Sequence, residues 1–274
     1  MPGCFAALSM TGFDVCGNGF SAMNKSWMSA QASTQLDGAS PAAAEGRTQR
    51  VSVQTNVLQQ NQVTAEENRK LFTRTGTVVM NMMSAPGAGK TSILEVTLKG
   101  LVDRWRVGVI EGDLQTNLDA ERIRALGVPS YQITTGTVCH LDARMIARAL
   151  TEFPVRNLDF LVIENVGNLI CPSSYFLGEH LRVVVCSVAE GADKPKKYPV
   201  MFNKADVVLL NKIDLIPYVD VDLEALRQNV REVTPRAEIL ALSCKTGEGL
   251  GAWIEWLRRT IQRLSQGSPV KAGP

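Results

Sequence analysis

Apolar residues along the chain fall into two rhythms. From Gly76 onward, short continuous apolar runs alternate with stretches of helical period. Thr77 to Met83, Arg106 to Ile110, Ser130 to Thr134, Phe160 to Glu164, Leu181 to Val188, Val207 to Leu210 and Glu238 to Leu242 read as strands. Runs that are apolar throughout, rather than alternating, suit a parallel sheet covered on both faces. Between them, Gly89 to Leu101, Asp119 to Leu126, His140 to Leu150, Pro195 to Asn203, Leu223 to Val233 and Gly251 to Leu264 read as helices. The alternation predicts an α/β fold with a doubly wound, mostly parallel sheet over residues 76–265. Upstream, scattered apolar positions such as Val53, Val57 and Leu71 predict a helix over 51–75 that packs onto the domain. Residues 1–50 carry no period and read as a low-complexity, disordered tail; 266–274 read as a short C-terminal tail.

Composition narrows the function classes. The chain has 274 residues, 45% of them hydrophobic and 20% charged, with a formal net charge of +2. That balance offers no basic face for nucleic acid. The apolar runs are strand-length, far short of the ~20 residues of a membrane span. The N-terminus has no basic segment followed by an apolar block, so no secretory signal is expected. Six cysteines in this length are not a disulfide scaffold. The expectation is a cytoplasmic enzyme without nucleic acid or membrane partners.

Ser84-Ala85-Pro86-Gly87-Ala88-Gly89-Lys90-Thr91 sits between a predicted strand and a predicted helix. It matches the P-loop pattern except at its first position, where Ser84 replaces Gly. Gly87 and Gly89 let backbone N–H groups converge on phosphate oxygens, and the helix start presents its positive end to the same anion. Lys90 is the candidate for the β- and γ-phosphates, and the Thr91 hydroxyl for Mg²⁺. Ala88 and Ser92 complete the expected phosphate-side contacts. Asn211-Lys212-Ile213-Asp214 follows another strand. A carboxylate there can accept from both guanine N1–H and the 2-amino group, a donor pair adenine lacks. Lys212 can lie along the base, and Asn211 can tie this loop to the phosphate loop. Ser243-Cys244-Lys245 stands where a second base-contacting loop belongs. GTP is therefore the expected nucleotide.

Two further segments place acids at strand ends. Glu111-Gly112-Asp113 and Glu164-Asn165-Val166-Gly167 supply Asp113 and Glu164 as Mg²⁺-side candidates. Asp113 can alternatively orient the attacking water. Gly167 can donate its N–H to a γ-phosphate and release it after hydrolysis. Lys90, Asp113 and Gly167 are the candidate catalytic positions. Cys139, His140 and Cys171 form a soft donor set suited to Ni²⁺ or Zn²⁺. Spacing alone leaves that reading level with a buried cysteine beside a satisfied histidine. Cys171 lies four residues beyond Gly167, so a metal there is linked to the switch by a very short piece of chain. Cys186 reads as core, Cys4 and Cys16 as tail residues, and His180 as a surface or loop residue.

These segments together resemble the hydrogenase nickel-incorporation GTPases, the HypB family. The resemblance runs through Ser84 to Thr91, Glu111 to Thr116, Thr135 to Ala143, Ile163 to Pro172, Glu190 to Pro199 and Asn211 to Leu215, and covers about residues 60–265. The Cys139-His140-Leu141-Asp142-Ala143 and Glu164 to Pro172 elements are its specific parts. It implies a GTPase of low turnover that dimerises in a nucleotide-dependent way. It implies delivery of Ni²⁺ to the large subunit of [NiFe] hydrogenase with a partner nickel chaperone, HypA. It assigns Cys139, His140 and Cys171 to a Ni²⁺ or Zn²⁺ site near the dimer interface, and the Lys194 to Tyr198 segment to a contact near the partner's nucleotide. The N-terminus departs from the family pattern, because no Cys-x-x-Cys-Gly-Cys motif or His-rich store is present and the chain has two histidines. A urease-type nickel accessory GTPase ranks below, since its Cys-Pro-His pattern is missing, and a P-loop small-molecule kinase ranks lower still because of Asn211 to Asp214.

Overall fold

Seven β-strands, each flanked by helical segments, carry out the alternation seen in the sequence. The computed structural model describes residues 41–113 and 118–266, with side chains over 56–113 and 121–266. The tail expectations for residues 1–40 and 267–274, Cys4 and Cys16, and the motif residues Gln115 and Thr116 lie outside the described residues. The chain divides into two units after Arg47, and the whole sheet belongs to the second.

In chain order the elements are α1 (Pro41–Thr75), β1 (Val78–Ser84), α2 (Lys90–Lys99), β2 (Val107–Asp113), α3 (Leu118–Arg124), β3 (Ser130–Thr134), α4 (Ala143–Glu152), β4 (Phe160–Glu164), α5 (Cys171–Ser174), β5 (Leu181–Ser187), α6 (Lys194–Lys197), α7 (Pro199–Phe202), β6 (Val207–Asn211), α8 (Leu223–Val233), β7 (Glu238–Ala241) and α9 (Leu250–Gln266). The sheet order is β3-β2-β4-β1-β5-β6-β7. Every strand pairing is parallel. The chain leaves β1 toward β2 on one side and later builds β5 to β7 on the other. The carboxyl end of β1 is thus the switch point at which open α/β sheets bind ligands.

Alternate residues of each strand feed opposite faces. Met80 and Met82 of β1 pack with Ile93, Leu94 and Leu98 of α2 and with Trp253, Leu257 and Ile261 of α9. The Trp253 indole N–H donates to Thr97 Oγ1 at 2.8 Å, so its burial leaves no orphaned donor. On the opposite face, Val79, Ile110 and Ile163 meet Phe72 of α1 and Ile146 of α4. Further along that face, Val184 and Leu210 meet Phe202 of α7 and Leu226 of α8. Each large apolar side chain buried this way contributes about 1.5–3 kcal/mol relative to exposure.

Four local expectations are corrected. The helix expected over 51–75 begins at Pro41, because Ala42-Ala43-Ala44 propagates helix and Pro41 suits its first position. The helix expected from His140 begins at Ala143: the Asp142 carboxylate accepts from the Met145 N–H at 2.8 Å and caps it, leaving Cys139 and His140 in the preceding loop. The helix expected over Pro195 to Asn203 is two short helices, broken at Tyr198 (φ −127, ψ 52), where the ring of Pro199 disfavours helical backbone. Glu111-Gly112-Asp113 lies within β2 instead of after it, with Asp113 paired to Thr134.

Candidate functional site

The loop after β1 owes its path to glycine. Gly87 (φ 71) and Gly89 (φ 100) adopt left-handed backbone, and a Cβ on Gly89 would stand 2.4 Å from Asn211 Nδ2. Ser84, the departure from the P-loop pattern, ends β1 and is fully buried. Its hydroxyl accepts from Lys90 Nζ at 2.9 Å and donates to the Ala85 carbonyl at 2.5 Å. Ser84 therefore does more than shape the turn: it holds the ammonium of the phosphate-side lysine. Thr91 Oγ1 donates to Glu164 Oε1 at 2.9 Å, which brings together one Mg²⁺ candidate on α2 and another at the end of β4. Glu111 pairs in register with buried Glu164, which places Asp113 one strand over at the same sheet edge. The Asp113 carbonyl accepts from the Thr135 N–H at 2.9 Å, so the strand end also anchors the loop leading to Cys139. Gly167 lies on the phosphate loop: a Cβ there would be 3.0 Å from Pro86 Cα and 3.4 Å from Lys90 Nζ.

Beside this loop is a cleft of about 480 Å³ whose lining includes Gly89, Ser92, Asn211, Lys212, Asp214, Cys244 and Lys245. Asn211 Nδ2 donates to the Ala88 carbonyl at 2.8 Å, and Lys212 Nζ donates to the Gly87 carbonyl at 2.7 Å. Lys212 has φ 63, the one positive value of a non-glycine among the described residues. Strain of this kind collects at binding sites. Asp214 Oδ1 accepts from the buried Ser243 hydroxyl at 2.6 Å, while Ser243 Oγ accepts from the Lys245 and Thr246 amides at 3.2 Å. The base loop is thereby fastened to the carboxylate. Burial, with Glu95 and Asp214 nearby, pushes the Cys244 thiol up. Glu95, Val96 and Leu215 also line the cleft and were missed in the sequence. The signal for the first two is the three- and four-residue spacing from Ser92 along α2.

About the start of α4 and α5 the second constellation assembles. The ligand atoms of Cys139, His140 and Cys171 all lie within 4.8 Å of one another. The two sulfurs are 3.0 Å apart. The His140 ring stacks on Tyr175, centroids 4.0 Å apart at 27°, and its Nδ1 is buried without a hydrogen-bond partner. Burial lowers the His140 pKa against the opposing pull of Asp142. The hydrogen bond with Cys139, and then burial, raise that of the Cys171 thiol. A cluster of two thiols and an imidazole, with one imidazole nitrogen buried and unpartnered, fits a soft divalent ion.

Residues that sequence reasoning missed hold this cluster. Asn61 of α1 accepts from the Ala143 N–H and donates to the Phe176 carbonyl, both at 2.8 Å. Asn68 donates to the carbonyls of Ala143 at 2.9 Å and Leu177 at 3.1 Å. One helix thus grips the chain just after His140 and just after Cys171. Asn61, Ala65, Asn68 and Phe72 form one buried stripe on α1, and its two asparagines were the available signal. His180, read as a surface or loop residue, lies half-buried in the loop just before β5. Its Nδ1 accepts from the Val79 N–H at 3.1 Å, and burial together with Arg69 lowers its pKa to about 4. Cys186 is core, its thiol pushed up to about 12 by burial.

The family model for the CobW/HypB/UreG nucleotide-binding domain matches residues 78–241. The Hydrogenase maturation factor HypB of Escherichia coli (strain K12) is 49% identical over 216 residues, which span 78% of this chain and 74% of that protein. The crystal structure of HypB from Archaeoglobus fulgidus superposes with a TM-score of 0.70 at 41% identity, over 74% of this chain and 98% of that one. The crystal structure of HypB from Helicobacter pylori in complex with nickel gives a TM-score of 0.71 at 38% identity, over 78% of this chain and all (100%) of that one. Among the described residues, no helix is long and apolar enough to cross a membrane.

Proposed function

The chain belongs to the HypB family of hydrogenase maturation factors, and we propose that it is a GTPase that carries nickel, with its nucleotide state coupled to the Cys139–His140–Cys171 cluster. The observation that carries this reading is a contact: Gly167 rests against Pro86 and Lys90 of the phosphate loop. Cys171, whose sulfur is 3.0 Å from that of Cys139, follows four residues later. A group that pushes on Gly167 moves one thiol relative to the other.

The residues divide the work. Asp214, already fastened to Ser243, accepts the guanine N1–H and 2-amino protons. ATP lacks that donor pair and leaves the half-buried carboxylate with the Ser243 hydroxyl alone. Lys90 exchanges the Ser84 hydroxyl for phosphate oxygens. Thr91 and Glu164, with Asp113, would hold the Mg²⁺ that accompanies GTP, and the ion would neutralise charge on the β- and γ-phosphates. In the alternative role, Asp113 orients the attacking water instead. The Gly167 N–H binds the γ-phosphate before hydrolysis and loses that partner after it.

Nickel is cargo in this scheme. Two thiolates and an imidazole fill three positions and leave a fourth open for a receiving group. Zn²⁺ shares these ligands. The receiving partners are those of the family resemblance, the nickel chaperone and the hydrogenase large subunit. A second copy of the chain meets the first when GTP is bound, in the cytoplasm. Because linkage is reciprocal, nickel changes the affinity for a non-hydrolysable GTP analogue as much as the analogue changes that for nickel. Cys171→Ala is expected to abolish the nickel-induced change in analogue affinity. An undiminished change in that variant contradicts the reading.

A further inference from the structure

Of the residues that surround the thiol cluster without belonging to it, Asn165 touches both halves of the machinery. It lies between Glu164 and the Val166-Gly167 turn and is 1% exposed. Its own N–H donates to the Met82 carbonyl at 3.0 Å, which pins its backbone to β1. Its Oδ1 accepts two hydrogen bonds, from the Val166 N–H at 3.0 Å and from the Leu141 N–H at 3.1 Å. Its Nδ2 donates to Asn81 Oδ1 at 3.3 Å. One carboxamide oxygen thus joins the residue before Gly167 to the residue after His140.

Leu141 is held from its other side as well. Its side chain is fully buried and packs over Gly112, where a Cβ would come within 2.7–2.8 Å of Leu141 Cγ, Cδ1 and Cδ2. Gly112 precedes Asp113 in β2. The Cys139–His140 half of the cluster is therefore registered to two strand ends at once, through a hydrogen bond to β4's continuation and a packed contact to β2. The Cys171 half makes no hydrogen bond to Asn165; it follows the chain beyond Gly167 and is held past Cys171 by Asn61 and Asn68 of α1.

We infer that Asn165 is the positioning residue that couples the Gly167 turn to the Cys139–His140 half of the metal cluster. The inference rests on the proposed function and extends it to a residue outside the candidate nucleotide and metal ligands. Val166 and Leu141 share one acceptor, so a shift of the turn changes the bond that locates His140. Removing the acceptor leaves two buried N–H groups unsatisfied and frees the His140 half from the turn.

The test is nickel titration, followed by thiolate-to-nickel absorbance, on protein loaded with GDP or with a non-hydrolysable GTP analogue. Allosteric couplings of this kind are commonly about 5–150-fold in affinity. In Asn165→Ala the ratio between the two nucleotide states is expected to fall to about twofold or less, with the fold verified by GDP binding. Asn165→Asp keeps the acceptor, and Asn81, whose Oδ1 now accepts from Asn165, can turn its carboxamide to present its unpartnered Nδ2 to the carboxylate; this variant is expected to retain most of the ratio. A wild-type ratio in Asn165→Ala overturns the inference, as does equal loss in both variants, which marks a merely structural residue. If Asn165→Ala does not fold, Gly112→Ala displaces Leu141 from the opposite side, and an unchanged ratio there overturns the inference too. A flat ratio in the unsubstituted protein sinks the proposed coupling and this inference with it. A steep wild-type ratio untouched by the substitutions sinks the inference alone.

Discussion

The phosphate-and-base end and the thiol end of the site are built by different means. At the first, motif residues bond to one another: Lys90 to Ser84, Asn211 to Ala88, Lys212 to Gly87, Ser243 to Asp214. Its shape is stored in left-handed backbone at Gly87, Gly89 and Lys212. At the second, the three donors bond little among themselves beyond the 3.0 Å sulfur contact. Their loops are located by Asn61, Asn68 and Asn165, which lie on α1 and just past β4. A site that carries its own scaffold is stiff. A site hung between loops can change geometry when one of its suspensions moves, which is what a carrier that must release its cargo requires.

If the two ends are separable in this way, the largest effect comes from the stiff one. Gly89→Ala puts a Cβ on Asn211 and strains φ 100. Nucleotide affinity is expected to fall about 100-fold, the equivalent of about 3 kcal/mol, while nickel binding to nucleotide-free protein stays unchanged. Joint loss breaks the comparison. Next is Gly178→Ala, at φ 99, where a Cβ would lie 2.7 Å from the Ala65 carbonyl of α1. Prying α1 from the loop after Cys171 is expected to cost about 2–3 kcal/mol of stability. It is also expected to weaken nickel about tenfold while leaving GDP affinity intact. Equal losses for both ligands indicate general unfolding instead of a loosened suspension. Titration and chemical denaturation check both variants.

The smallest effect is a pH dependence. His180 takes its hydrogen bond from Val79 in the neutral form, and its folded pKa of about 4 lies below the ordinary 6.5. Below pH 6.5 the unfolded chain binds a proton that the folded chain refuses, so stability falls as pH drops from 6.5 toward 4 and is fully present above 6.5. Between pH 6.5 and about 5 the loss is about 2 kcal/mol. Urea unfolding of the wild type and of His180→Gln measures it. A slope that persists unchanged in the variant assigns the effect to other groups.

The same contrast explains what the sequence made legible. Residues 84–91 and 211–214 are contiguous and set their own backbone, so residue type and spacing were enough to place them on a strand–loop–helix unit. Donor chemistry marked Cys139, His140 and Cys171 as candidates. Their convergence depends on loops 32 residues apart, joined through asparagines whose partners are main-chain groups. A hydrogen bond to a distant backbone leaves no pattern of spacing. The partner of His180, a loop residue as read, was hidden for that reason, since it is the Val79 N–H. The break at Tyr198, by contrast, was legible in Pro199 and was passed over. Asp142, read as part of a family element, was also readable as the cap that excludes His140 from α4.

The most direct test of the account is the affinity of the unsubstituted protein for Ni²⁺ in its two nucleotide states, read from thiolate-to-nickel absorbance. The account predicts about one metal or less per chain and an affinity that differs between GDP and the GTP analogue by about fivefold or more. A thiolate band of equal affinity in both states, or no band in either, contradicts it.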